Sequence, residues 1–343
     1  MTFKHYVQVK KEYYSKVVCV ESPLQLLAAI EYIHRFGNNN VLLIIRKNGN
    51  VRNDQILDEL RRRYILAETV ILSIDKDSNY LKLFFITIRL FFWRIIKESP
   101  QEIVVGDLRS VWIQILLFRF SDSKVTLIDD GNVILEFVEK DLLGNLKYNF
   151  NTISRILIKK RIQQFKKDEI LFFTIFHSII TDRPKNCIEN KLSFFRDKRL
   201  VTEGIKLTKQ LFFIGTPLSE QGIISLQDEL KLIEKCRVHF AEFRFFYVLH
   251  RRESREKVLK LLPERELVQF DLPLELQFLT QDKKPEVVCS IYSTALLSLS
   301  ILFEDIKCYS FLPEDNQVSE KFQNDFQVQK KYYESLSFYS KEY

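Results

Sequence analysis

Short apolar, β-branched runs alternate with helical patterns along most of the chain, and this alternation restricts the fold more than any other feature of the sequence. In the first half, the strand-like runs occupy residues 16–20, 41–46, 69–73, 102–106 and 124–129. In the second half, they occupy residues 209–215, 245–250, 266–270, 286–290 and 306–311. Strands that alternate with helices are typical of parallel sheets. Two such series predict an α/β fold with two Rossmann-like domains that face a central cleft.

The domain boundaries follow from where this alternation stops and restarts. A chain of 343 residues is longer than a single hydrophobic core usually becomes. Residues 150–200 are rich in Lys, Arg and Phe but show no strand alternation, which predicts helices and a connector. We therefore predict one domain at residues 1–190, a second at 205–320, and a tail at 321–343 that forms a helix and packs back.

The charge balance and the cysteines restrict the partners and the compartment. Lys and Arg outnumber Asp and Glu by 52 to 45, and the net charge of +7 favours anionic partners such as nucleotides, acidic glycans, nucleic acid or a membrane face. The five cysteines include no C-x-x-C pair, which is typical of reduced thiols in a cytoplasmic protein. The basic, aromatic residues 81–97 are too few and too charged to span a bilayer. They predict a helix that packs on the sheet or, as the alternative, lies on the inner membrane surface.

Two carboxylates and a glycine, Asp129, Asp130 and Gly131, follow the last strand-like run of the first half. Ligands of open parallel sheets bind beyond the carboxyl ends of the strands, so these residues are candidates for chemistry. Consecutive strand residues point to opposite faces. We therefore expect one carboxylate to act as a base while the other braces the turn. The alternative is a common Asp-Gly turn without further function.

Two further strand ends carry residues that suit a phosphate. An apolar run delivers His250, Arg251 and Arg252, and an imidazole beside arginines can bind phosphate oxygens and donate a proton to a leaving group. Another run leads into Ser293 and Thr294, whose hydroxyls begin a predicted helix and form an anion site with its free amides. The alternatives are a surface histidine in a basic turn and a purely structural helix cap.

The order of these motifs resembles that of the bacterial sialyltransferases of glycosyltransferase families 52, 38 and 80, and family 52 is the most similar. Those families share a D/E-D/E-G motif, an HP motif and a serine-serine/threonine motif. The opening run from Glu21 to Glu31, ESPLQLLAAIE, also resembles the start of the lipooligosaccharide and capsular enzymes. The chain departs from the pattern at Arg251, where those families have proline.

This resemblance implies a GT-B fold and an inverting transfer of sialic acid, or a related nonulosonic acid, from a CMP donor to a glycan of lipooligosaccharide or capsule. It implies that Asp130 deprotonates the acceptor, that His250 contacts the donor phosphate, and that a phosphate lies at the Ser293 helix start. The remaining donor-binding residues that it implies are Arg252, the loop at Gly215 and Thr216, and Glu275, which would receive the cytidine ribose.

Neither a metal nor another cofactor is expected. The sequence contains no cluster of His and Cys with metal-ligand spacing, and the single D-x-D spacing, at Asp75 and Asp77, is interpreted as a solvated turn. An imidazolium, two hydroxyls and a helix start can offset the charge of the departing CMP.

Two alternative functions remain open. One is transfer from CMP-Kdo or another CMP-activated acid, because the identified residues contact the nucleotide rather than the sugar. The other is a non-catalytic basic protein that binds a membrane or nucleic acid through residues 81–97 and 156–167. The chain has no RNA-binding signature or zinc finger, so nucleic acid is not an expected partner.

Overall fold

The computed structural model describes residues 13–37, 39–73, 96–139, 169–178, 180, 186–200, 206–250 and 252–335. The chain forms two compact units, Met1–Asn190 and Lys191–Tyr343. Each unit contains a parallel sheet, and helices lie between most of the successive strands that the structure describes. The predicted α/β class, with the two Rossmann-like sheets that a GT-B fold implies, is confirmed.

The described residues of the first unit contain a seven-stranded sheet in the order β3-β2-β1-β4-β5-β6-β7, and all neighbours are parallel. The strands are β1 (Lys16–Val20), β2 (Val41–Lys47), β3 (Glu68–Ser73), β4 (Glu102–Val105), β5 (Lys124–Ile128), β6 (Ile170–Thr174) and β7 (Cys187–Glu189). The strand order reverses between β1 and β4. Open sheets bind ligands in the crevice at such a reversal, beyond the carboxyl ends of the strands.

The helices of the first unit are α1 (Pro23–Phe36), α2 (Val51–Tyr64), α3 (Val111–Arg119) and α4 (Val133–Glu139). Helix α1 begins as its sequence predicts, because the Ser22 hydroxyl accepts a hydrogen bond from the Gln25 amide at 3.2 Å. The Gln25 side chain departs from a capping box. Its Oε1 accepts from the amide of Glu21 at 2.8 Å rather than from that of Ser22.

The prediction of only helices and a connector at residues 150–200 is wrong, because β6 and β7 lie within this segment. Strand β6 is buried along nearly its whole length and pairs with neighbours on both sides. A strand buried on both faces is a continuous apolar run without alternation. Strands β1, β2 and β5 are continuous buried runs too. What conceals β6 is the surrounding composition, which is rich in Lys, Arg and Phe.

The described residues of the second unit contain a five-stranded parallel sheet in the order β10-β9-β8-β11-β12. The strands are β8 (Lys206–Ile214), β9 (Arg244–Val248), β10 (Leu267–Val268), β11 (Lys283–Ser290) and β12 (Lys307–Ser310). The helices are α5 (Ser193–Leu200), α6 (Leu226–His239), α7 (Arg255–Leu259), α8 (Leu274–Thr280), α9 (Thr294–Leu302) and α10 (Gln323–Ser335). The strand order reverses between β8 and β11.

Three details of the second unit differ from the expectations or add to them. Helix α6 begins at Leu226, since Ser225 caps it and the preceding residues form turns. The strand predicted at residues 266–270 is reduced to the two residues of β10. Helix α10 packs on its own unit, with the rings of Phe326 and Tyr333 about 6 Å from that of Tyr292.

Several predicted features lie outside the described residues. They are residues 81–95 of the basic segment, the second basic segment at 156–167, the D-x-D spacing, and Arg251. Among the helices that the structure describes, none has the length and hydrophobicity required to cross a membrane. All five cysteines are free thiols.

Candidate active site

Asp129, directly after β5, is a buried carboxylate with several hydrogen-bond donors around it. Its side chain is 1% exposed and accepts hydrogen bonds from Thr174 Oγ1 at 2.6 Å, Ile175 N at 3.0 Å and Asn190 Nδ2 at 3.4 Å. Thr174 is the last residue of β6, Ile175 follows it, and Asn190 follows β7. The Asp129 carboxylate therefore links the ends of β5, β6 and β7. Burial raises the pKa of Asp129 to about 6, although the hydrogen bonds act in the opposite direction.

Asp130, the next residue, has a different environment. It is only partly buried, and Ser22 Oγ donates a hydrogen bond to its Oδ1 at 3.0 Å. The Gln25 side chain also bonds this carboxylate. Burial raises the pKa of Asp130, and the negative charge of Asp107 raises it further. Gly131 then turns the chain with a φ of 67°, in the left-handed region that glycine adopts without strain.

Gln25 and Gly106 form a tight contact at the point where the strand order reverses. Gln25, on α1, is 1% exposed, and Gly106 immediately follows β4. A Cβ at position 106 would lie 2.3 Å from Cγ and Cδ of Gln25. Glycine is therefore required for Gln25 to reach Asp130. Gln25 is not among the predicted site residues, because its place in the sequence indicates only the start of a helix.

Two ion pairs surround this edge of the first sheet. Asp107 pairs with Arg109, with 3.0 Å between Oδ1 and Nε and 3.0 Å between Oδ2 and Nη2. Glu21 Oε2 accepts from Arg46 Nη1 at 2.6 Å and from Trp112 Nε1 at 3.1 Å. Asp107 and Glu21 are thus each paired with an arginine. Among the bonds described for this edge, Asp130 is held only by a hydroxyl and a side-chain amide.

His250 lies in the turn after β9, partly exposed. Its amide donates to Glu253 Oε2 at 2.9 Å, and its Nδ1 accepts from the amide of Arg252 at 3.1 Å. A ring nitrogen that accepts a hydrogen bond carries no proton, so the neutral imidazole carries its proton on Nε2. Nε2 is then a hydrogen-bond donor suited to a phosphate oxygen.

Gly215 and Thr216 follow β8, on one side of the reversal in the second sheet. A Cβ at position 215 would lie 2.0 Å from Glu253 Oε2 and 2.7 Å from the Tyr247 hydroxyl, so only glycine fits. Thr216 is 8% exposed, and its Oγ1 is buried without a hydrogen-bond partner among the described residues. A buried hydroxyl is normally satisfied, and this one is available to a ligand oxygen.

Ser293 and Thr294 follow β11, on the other side of the same reversal. Ser293 is the N-cap of α9, and its Oγ accepts from the Ala295 amide at 3.3 Å. Its hydroxyl proton can still be donated. Both residues are partly exposed. The structural cap and the anion site are thus compatible roles for Ser293.

Glu275 lies on α8, is 7% exposed, and accepts a hydrogen bond from the Ser298 hydroxyl on α9. Burial raises its pKa. The structure gives this carboxyl a partner between two helices, and its contact with the cytidine ribose stays a prediction.

Within the described part of the chain, one trio of acids, Glu220, Glu229 and Glu253, is close enough to hold a single cation. The ammonium of Lys257 lies 2.9 Å from Glu220 and 3.0 Å from both Glu229 and Glu253. These three acids and Lys257 form the Lys257 cluster, in which a single ammonium contacts all three carboxylates.

The sequence profile of the alpha-2,8-polysialyltransferase family matches residues 16–312 and so spans every strand-end residue described above. The chain belongs to the alpha-2,8-polysialyltransferase family. The predicted resemblance to sialyltransferases is confirmed at this level, and with it the class of glycosyltransferase, which uses a sugar donor and a glycan acceptor. The matching profile is that of the polysialyltransferase family, and this match does not identify glycosyltransferase family 52.

The solved structures to which this polysialyltransferase-family chain is similar differ widely from it in sequence. MnaA of S. aureus, solved with UDP, is 11% identical with a TM-score of 0.50, over 94% of this chain and 87% of that one. The UDP-GlcNAc 2-epimerase of Neisseria meningitidis is 14% identical with a TM-score of 0.48, over 93% of each chain. A glycosyltransferase of Rickettsia africae is 9% identical with a TM-score of 0.43, over 95% and 92%. None of the curated proteins is significantly similar in sequence.

The predicted site residues of this family member fall into two groups, one at each sheet. Asp129, Asp130 and Gly131 lie together at the carboxyl edge of the first sheet, where Ser22 and Gln25 join them. The carboxyl edge of the second sheet carries the residues that follow β8, β9 and β11: Gly215, Thr216, His250, Arg252, Ser293 and Thr294. Glu275 lies apart from these strand ends, on α8.

Proposed function

We propose that this chain transfers sialic acid from CMP to the hydroxyl of a sialylated glycan, with inversion at the anomeric carbon, and so extends an α-2,8-linked chain. The different environments of Asp129 and Asp130 carry the assignment of the base. Burial raises the pKa of both carboxyls, but Asp129 is enclosed by three donors, whereas Asp130 is partly exposed and so accessible to an acceptor. A raised pKa makes a carboxylate a stronger base.

In this mechanism the acceptor hydroxyl loses its proton to Asp130, and its oxygen forms a bond with the anomeric carbon of the sialic acid. The bond from that carbon to the CMP oxygen breaks, and CMP leaves with the electron pair as a phosphate monoester. Nε2 of His250 and the hydroxyls of Thr216 and Ser293 donate hydrogen bonds to the phosphate, with Thr294 and Arg252 beside them. A single displacement of this kind inverts the anomeric configuration.

Neither a metal nor another cofactor has a role in this proposal. A departing monophosphate can be stabilised by hydrogen-bond donors that are fixed before the reaction, because fixed dipoles need no reorganisation in the transition state. We expect transfer to continue at an unchanged rate in the presence of a chelator. The same proposal includes a surface glycan as acceptor, either lipooligosaccharide or capsule, and contact with the inner membrane. It also includes a relationship to glycosyltransferase family 52.

Transfer from CMP-Kdo, or from another CMP-activated acid, is the alternative within the same chemistry. The residues assigned to the donor contact the phosphate and nucleoside, so they do not discriminate between acidic sugars. The family match favours sialic acid. Competing CMP-sialic acid against CMP-Kdo with one acceptor measures the ratio of kcat/KM directly.

The proposal is tested by replacing the proposed base and its matched control. Asp130→Asn should lower transfer from CMP-sialic acid to a sialylated oligosaccharide by about 10²- to 10⁴-fold, the range of general base catalysis. The control is Asp122→Asn, an exposed aspartate that precedes the amino end of β5. His250→Ala should also lower transfer, through the donor. Wild-type rates in folded Asp130→Asn would refute the proposed mechanism.

A further inference from the structure

We infer that Glu253 is the positioning residue of the donor phosphate site. It fixes the main chain of His250 and the turn at Gly215. This inference rests on the proposed role of His250. Glu253 lies three residues after His250, and its side chain is fully buried. Its two carboxylate oxygens bond to elements that end at the carboxyl edge of the second sheet.

The first contact fixes the main chain of His250. Glu253 Oε2 accepts from the His250 amide at 2.9 Å, while the Glu253 amide donates to the His250 carbonyl at 3.0 Å. These two bonds close a turn between His250 and Glu253. This turn places the Arg252 amide 3.1 Å from Nδ1 of the imidazole. Glu253 thus acts through the backbone on the orientation of the ring and on which nitrogen carries the proton.

The second contact fixes the loop after β8. The Glu253 carboxylate lies so close to Gly215 that any side chain there would overlap it. Its Oε1 accepts from the Tyr247 hydroxyl at 2.7 Å, and Tyr247 is fully buried on β9. The carboxylate therefore sets the spacing between the ends of two adjacent strands, β8 and β9. Thr216, with its buried hydroxyl, is the next residue of that loop.

The Lys257 cluster keeps this carboxylate in place. Lys257 Nζ lies 3.0 Å from Glu253 Oε1, and the same ammonium binds Glu220 and Glu229. Glu220 also accepts from the Ser254 amide, and Glu229 accepts from the Ser219 amide. Buried ionised groups are stable only when they are paired and hydrogen-bonded, and this condition is met for Glu253.

If an acid of the Lys257 cluster had only a structural role, its replacement would leave the orientation and tautomer of His250 unchanged. Glu229 provides the comparison, because it is equally buried and contacts the same Lys257 but does not bond to His250. Glu253→Gln leaves one acceptor oxygen for three donors, so at least one of its bonds is lost. We expect Glu253→Gln to lower kcat and the affinity for CMP by about 10- to 100-fold, as for loss of a hydrogen bond to a charged group. Glu229→Gln should change both less than threefold.

The decisive measurement is the double variant. If Glu253 acts through His250, Glu253→Gln should lower the residual activity of His250→Ala by less than about twofold, because the effects are not additive. Nitrogen NMR of the imidazole should show a single Nε2–H tautomer in the wild-type protein and a mixture of tautomers in Glu253→Gln. Equal losses in the wild-type and His250→Ala backgrounds would overturn the inference.

Two controls keep the outcome interpretable. If Glu253→Gln does not fold, Tyr247→Phe removes one bond to the same carboxylate without altering a buried charge, and it must show a weaker coupling to His250. Additive losses with Tyr247→Phe also overturn the inference. If His250→Ala itself has full activity, the proposed function fails, whereas failure of the coupling alone leaves that function intact.

Discussion

Two adjacent aspartates separated by one peptide bond differ in burial and in partners, and this difference decides their roles. Asp129 takes part in the packing of the strand ends, whereas Asp130 remains partly exposed. The sequence predicts one base and one brace from the opposite directions of consecutive strand side chains. It does not indicate which residue has which role, because the answer depends on partners that are distant in sequence.

Titration of Asp129 should make the protein less stable as the pH rises from about 4 to 7. Its pKa is about 6 in the folded protein against an ordinary value of 3.8, so the unfolded chain loses this proton first. The contribution of protonated Asp129 to the free energy of unfolding is fully present below about pH 4. It is lost as the pH rises through 6. The shift corresponds to about 3 kcal/mol at 1.36 kcal/mol per pKa unit.

Urea unfolding between pH 4 and 7 checks this prediction, with Asp129→Asn as the reference that cannot titrate. The difference in free energy of unfolding between the wild type and Asp129→Asn should fall by roughly 3 kcal/mol across this range. The asparagine variant also loses hydrogen bonds, but that loss is nearly independent of pH. Parallel stability curves for the two proteins would contradict the assignment.

At the scale of elements, the start of α1 both caps the helix and supports the proposed base. Ser22 accepts from the Gln25 amide and donates to Asp130. Gln25 binds the Glu21 amide with its Oε1 and also bonds Asp130. The residues that begin this helix are therefore also the residues that hold the carboxylate.

Ser22→Ala should lower both stability and transfer, whereas Ser225→Ala should lower stability alone. Ser225 caps α6 with a similar pair of bonds, accepting from the Asp228 amide at 3.1 Å and donating to its carboxylate at 2.6 Å. Loss of either cap should cost about 1 kcal/mol. Ser22→Ala should also lower kcat about tenfold, because Asp130 loses a donor. Thermal unfolding and transfer rates measure the two effects, and equal activity in both variants would exclude the second role of Ser22.

Most of the strands and helices could be predicted from the sequence, because most strands are apolar runs that end at polar residues. The strand ends at Asp129, His250 and Ser293 are visible in this way. Strands β6 and β7 are not, and they supply Thr174 and Asn190 to Asp129. The first lies in a segment rich in Lys, Arg and Phe, and the second has only three residues. Partners on such strands become apparent only in the folded sheet.

At the scale of the whole molecule, the two units divide the proposed chemistry, with the base on the first and the donor phosphate on the second. CMP should therefore raise the Tm of the full chain by several degrees at 100 times its Kd, a stabilisation of about 2.7 kcal/mol. The shift should persist in Asp130→Asn and disappear in the double variant Thr216→Ala/Ser293→Ala. UDP and an oligonucleotide serve as control ligands. Stabilisation by the oligonucleotide instead of CMP would favour the non-catalytic alternative.

The bonds of Asp129 also set the order in which this active site can be completed during synthesis. Its donors lie 45, 46 and 61 residues downstream, and the last of them, Asn190, is the final residue of the first unit. A nascent chain that has emerged only as far as the turn after β5 therefore carries both aspartates, but none of these donors yet holds Asp129. The proposed base gains its neighbour's support only when the whole first unit has left the ribosome.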